Sequence, residues 1–251
     1  MVTDRGTIRW WDSLLVLILT TLGSLIVLLG GALLLGMSLR ALGYNHVAAN
    51  IAANSKGFFA LQVYAATFYL AGLLVIKFLV KRRGYQLFTR YFPPIGLQLI
   101  LRAEFIGSGI AGFYLIVIQG LAWISVLPLH PAIAAAAVLH QRLGRLLTLA
   151  LVYVVIAPLA EEIYFRGLLL DSLQQKFFLL PSALITTAVF AAMHVQFLLH
   201  PGVVGWLATI ALATMGLFNA LSAQCMHSLR APVAAHASYN AVLFLFIFFV
   251  R

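Results

Sequence analysis

Charge is what this sequence has least of. Charged residues make up 9% of the chain and hydrophobic ones 63%, where soluble domains carry roughly 25% and 45–50%. With a mean hydropathy of +1.05, this excludes a soluble globular fold and points to an integral membrane protein. Cysteine is nearly absent. The single residue, Cys225, excludes an intrachain disulfide and a Cys-rich metal site, so any metal would need His, Glu or Asn ligands. There is no internal repeat, no low-complexity tail and no room for a separate soluble domain. A long basic tract is also missing. The net charge of +10 comes from basic residues that flank apolar segments, which is the pattern of membrane topology, so no nucleic-acid partner is expected. The apolar run that begins near Leu14 is too long for a cleavable signal peptide and has no small-residue cleavage site.

What is present is a series of apolar stretches. They predict an all-α, polytopic membrane bundle of about seven helices (six to eight) around a polar intramembrane cavity. The spans fall at Ser13–Leu35, Gly57–Val80, Ala103–Leu127, Gly144–Leu170, Pro181–Leu199, Val203–Ala223 and Pro232–Arg251. Trp10 and Trp11 suit the headgroup interface. Lys81, Arg82, Arg83, Arg90 and Arg102 share one loop, which the positive-inside rule makes cytoplasmic, and this puts the N-terminus on the same side. Pro93-Pro94 interrupts any helix in that loop. Residues 129–145 read as an interfacial connection, and His200-Pro201-Gly202 as a tight turn. Asp171 falls in the loop after the fourth span. His46, His130, His140, His200 and His227 fall in loops, and Cys225 at a buried or interfacial position.

Only six residues are acidic, and two of them, Glu161 and Glu162, stand side by side inside an apolar run. An ionised carboxylate in lipid or a dry core costs several kcal/mol or more unless it is paired. Arg166 is four residues beyond Glu162, on the same helical face, so these two can form a salt bridge. For that pair a structural clasp is the simpler reading. Glu161 then points elsewhere, with no partner in its own segment, and an intramembrane carboxylate of that kind is a functional candidate. His194 lies in the fifth span. His236 and Asn240 lie one turn apart in the seventh. If these polar faces converge, Glu161 can activate a water, His194 and His236 can orient it or bind a metal, and Asn240 can donate to an oxyanion. Those are the parts needed to hydrolyse an amide.

The motifs carry a resemblance. Glu161-Glu162 followed by Arg166, Phe190 followed by His194, and His236 followed by Asn240, in this order, resemble the three motifs of the CPBP family. That family comprises the CAAX prenyl endopeptidases and the bacteriocin-processing or immunity relatives, also called ABI proteins. Ala157-Pro158, Gly167-Leu168-Leu169 and Arg230-Ala231-Pro232 extend it. It divides the chain into variable N-terminal membrane helices, 1–143, and a core, 144–251, within one integrated membrane domain. The resemblance implies a bundle with a conical cavity open toward the cytoplasm or the bilayer, and an endopeptidase acting on a membrane-associated or C-terminally processed peptide. In it Glu161 activates the water, His194 holds that water or a metal, and His236 and Asn240 stabilise the tetrahedral intermediate. Glu162 and Arg166 are supporting or substrate-carboxylate groups, with helix geometry favouring support, and Phe190 is a further supporting residue. Two mechanisms stay open: a metalloprotease with zinc on Glu161, His194 and His236, or a metal-free glutamate mechanism.

The expected partners are a peptide or protein substrate at the membrane and the lipid bilayer, and the expected location is a prokaryotic plasma membrane. The competing reading is a non-proteolytic scaffold or bacteriocin-immunity protein of the same family. A proton-coupled transporter is a weaker third, for want of inverted repeats.

Overall fold

The computed structural model describes residues 9–41, 58–123, 143–194 and 202–249. Every regular element among these is helical. In hydrocarbon a helix satisfies its own backbone, which is why long apolar runs take this form. The helices are α1 (Trp10–Ala41), α2 (Phe58–Arg82), the short α3 (Leu87–Tyr91) and α4 (Leu97–Trp123). A continuous central helix follows. It runs through α5 (Leu143–Ala150), a π-helical stretch (Leu151–Ile156), α6 (Ala157–Glu162), a second π-helical stretch (Ile163–Leu169) and α7 (Leu170–Leu173). The chain closes with α8 (Leu179–Met193), α9 (Val203–Met226) and α10 (Arg230–Phe249).

The described part of each expected apolar stretch falls on one of these helices, apart from His194, while residues 57, 124–127, 195–199 and 250–251 of those stretches lie outside the described residues. Among the described residues, three helices are long and apolar enough to cross a membrane: Leu97–Trp123, Leu146–Leu173 and Val203–Met226. Trp10–Ile26 and Leu179–Met193 are shorter apolar helices. The connection at 129–142, most of the polar loop at 40–56 and the His200-Pro201 part of the expected turn lie outside the described residues. Two expectations are corrected. Asp171 belongs to the central helix rather than to a loop, and its carboxylate meets Arg90 at 2.9 Å. Cys225 is exposed near the end of α9.

The central helix organises the rest, packing against α1, α2, α8, α9 and α10. Beside it α4 lies along α10 and α1 along α2. Gly107 makes the α4–α10 approach possible: a Cβ there would run into the Ala235 carbonyl and the Ser238 hydroxyl. Ser238 ties the same two helices by donating to the Glu104 carbonyl at 2.9 Å.

The basic end of the bundle is cross-braced. Arg83 donates to both carboxylate oxygens of Asp12, at 2.7 and 2.8 Å, joining the end of α2 to the start of α1. Phe92 and Pro93-Pro94 follow α3 directly, and α9–α10 holds that segment. Leu229 N–H bonds the Tyr91 carbonyl, the Ser228 hydroxyl donates to the Pro93 carbonyl, and Arg230 Nε donates to the Phe92 carbonyl. Arg90 stacks over the Tyr85 ring at 4.3 Å. Burial alone would lower its pKa, but Tyr91 and Asp171 outweigh that and raise it. Glu161 lies ten residues before Asp171 on the central helix.

Candidate active site

The two adjacent carboxylates lie between the two π-helical stretches. Such turns are rare and cluster at functional sites. Around them four helices supply polar side chains.

Glu162 is the hub of a buried network and is wholly inaccessible. Its Oε1 accepts from Arg166 Nη1 at 3.2 Å, from Asn219 Nδ2 at 2.9 Å and from His236 Nδ1 at 2.8 Å. The expected pair with Arg166 is thus present. Arg166 is also fully buried. Its Nη2 donates to the Gly216 carbonyl at 2.9 Å, and the guanidinium lies 4.6 Å from the centre of the Phe190 ring. That cation–π contact helps a dry cation. Gly216 carries no side chain because a Cβ would meet Arg166 Nη2 and Phe190 at 3.2 Å.

Glu161 looks the other way. Its Oε1 accepts from the Tyr69 hydroxyl on α2 at 2.5 Å. Its Oε2 has no hydrogen-bond partner among the described residues and lies 3.7 Å from His236 Nε2. His236 is placed to ion-pair with it, and only when protonated. The negative charge of Glu162 is matched by Arg166; that of Glu161 has no Arg or Lys partner among the described residues.

His236 sits between the carboxylates, with the Phe190 ring edge-on at 5.7 Å. Because Glu162 already accepts from Arg166 and Asn219, Nδ1 is the nitrogen that carries hydrogen, and Nε2 of the neutral ring faces Glu161.

His194 is not inside α8 as expected. The helix ends at Met193 and His194 caps it, with φ −99° and ψ 41°. Its ring explains the stop. Nδ1 lies 2.9 Å from the Phe190 carbonyl, taking the acceptor that its own N–H would use in a continuing helix, and that N–H bonds Ala191 at 3.0 Å instead. A carbonyl only accepts, so Nδ1 carries the proton and Nε2 is the basic nitrogen of the neutral ring. His194 and Glu161 line the same hollow of ≈ 200 Å³, walled by Thr20, Tyr69, Phe165 and Met193.

Asn240 shares the inward face of α10 with His236, but its Nδ2 donates to the Tyr153 carbonyl at 2.8 Å. It braces the first π-helical stretch. The expected metal set does not assemble: among the described residues no three His, Cys, Asp or Glu side chains group to hold an ion.

Sequence reasoning missed two participants, Tyr69 and Asn219. Asn219 carried a signal, being a lone amide inside an apolar helix. Tyr69 carried none, since a tyrosine in a span full of aromatics reads as packing.

Residues 143–242 match a family model described as Rce1-like, type II CAAX prenyl endopeptidase Rce1-like. The matched segment holds all three motifs, from Glu161 to Asn240, and bears out the resemblance to the CPBP family. Nothing among curated proteins or solved structures matches the chain.

Proposed function

We propose, on the premise that residues 143–242 form the core of a CAAX-type protease in an integral membrane protein, that this chain is an intramembrane endopeptidase with Glu161 as its general base. One observation carries the reading. Of the two adjacent carboxylates, Glu162 is matched by Arg166, whereas Glu161 has no Arg or Lys partner among the described residues and borders a hollow, where it is joined by His194.

Glu161 Oε2 and His236 Nε2 stand 3.7 Å apart, and the reacting water enters from the hollow that Glu161 borders. Glu161 takes a proton from that water as its oxygen bonds the substrate carbonyl carbon. The tetrahedral intermediate collapses, the C–N bond breaks, and Glu161 returns the proton to the leaving amine. His194 stands with Glu161 on the wall of the same hollow, on the side from which water and substrate arrive. His236, kept in one orientation by Glu162, presents Nε2 beside Glu161 and accepts the water's second hydrogen, which turns the oxygen lone pair toward the carbonyl carbon; a donor to the oxyanion comes from the same helix. Asn240 contributes its second amide hydrogen. The step is written without a metal, since no three His, Cys, Asp or Glu side chains group to hold an ion among the described residues.

The test is cleavage of membrane-anchored peptides in proteoliposomes by the wild type, Glu161→Gln and His194→Ala. Both variants should keep the fold and lose at least a hundredfold in turnover, the range of general acid–base catalysis. Full activity in Glu161→Gln would overturn the proposal.

A further inference from the structure

We infer that Tyr69 is a positioning residue for Glu161, supplied by a helix outside the matched segment; this rests on the reading of Glu161 as the base. A carboxylate only accepts, so the hydrogen of the 2.5 Å contact is the phenol's. That length lies in the charge-assisted O–H···O⁻ range. Donation to Oε1 singles out Oε2 as the oxygen facing His236.

The bond matters because of where it stands. Glu162 has three donors and no room to move. Glu161 has one, and it borders the hollow rather than being enclosed on every side. Without the phenol, rotation of the side chain would exchange Oε1 and Oε2 or carry both away from His236. A base misplaced by an ångström loses much of its effect. Tyr69 is itself held. Gly72, one turn on, lets α2 approach α1, since a Cβ there would press on the Thr20 methyl at 3.2 Å. Below it Ile76 and Val80 are packed in the core with Ile163 and Leu168 of the central helix. The first two helices therefore form one wall of the site.

Tyr69→Phe tests this, because it keeps the ring and removes only the hydroxyl. Two readouts are taken on the purified protein in proteoliposomes. One is kcat and KM separately, on a peptide the wild type cleaves. The other is the infrared carboxylate band of Glu161, identified by subtracting the spectrum of Glu161→Gln. We expect kcat to fall about ten- to a hundredfold, the worth of one hydrogen bond to a charged group, with KM within about twofold. The Glu161 band should shift while the melting temperature stays near that of the wild type. Unchanged kcat, or an unmoved band, would overturn the inference. A wild type that cleaves nothing counts against the endopeptidase reading instead, and the band still decides whether Tyr69 holds Glu161.

Discussion

His236 Nδ1 and Glu162 Oε1 are 2.8 Å apart with no solvent access to the carboxylate, and this one contact aims the opposite ring nitrogen at Glu161. The immobile carboxylate orients the imidazole, and the imidazole faces the carboxylate that is left to react. Adjacent glutamates thus take different roles because their surroundings differ.

Breaking the buried pair should be costly in either direction. Arg166→Met leaves Glu162 without its cation, and Glu162→Gln strands Arg166. Each single change should cost about 3–5 kcal/mol. The double variant should cost less than the sum, because no uncompensated charge remains. Thermal unfolding in detergent measures all three; strict additivity would mean the two residues do not interact.

Asn219 should matter less. Asn219→Ala removes one donor from Glu162 and leaves Arg166 and His236 in place. A loss of about 1–3 kcal/mol is expected, seen as a lowered melting temperature with the protein still folded.

Two glycines of α4 give a paired test of helix packing. Gly107→Val has nowhere to put its side chain, whereas nothing lies within 4 Å of a Cβ at Gly109. Gly107→Val should sharply reduce the yield of folded protein. Gly109→Ala should leave it unchanged.

Membrane orientation can be read from the one cysteine. Cys225 is exposed near the end of α9, with Lys176 and Arg230 at the same end of the bundle. If that basic end is cytoplasmic, a membrane-impermeant maleimide should label Cys225 in inside-out vesicles but not in intact cells.

The apolar helices were legible from hydropathy alone, as was the Glu162–Arg166 pair, which needs only helical spacing. His194, His236 and Asn240 stood out because polar residues are rare in apolar runs. What escaped depended on tertiary contacts. The arrival of Tyr69 at Glu161 joins residues 92 positions apart, and no local pattern encodes that. The end of α8 at His194 reflects an imidazole competing for a backbone carbonyl, which hydropathy does not register. Nor did spacing on α10 reveal that Asn240 would spend a hydrogen on Tyr153. The π-helical stretches left no mark, because their composition is that of any apolar helix.

The most direct measurement is turnover of a membrane-anchored peptide by the wild type and by Glu161→Gln, purified side by side and reconstituted identically, with and without a metal chelator. The account predicts cleavage by the wild type that survives chelation, and at least a hundredfold loss in the variant with its melting temperature maintained. Equal cleavage by the two proteins would contradict the role of Glu161. Cleavage abolished by chelator and restored by zinc would contradict a water activated by glutamate alone.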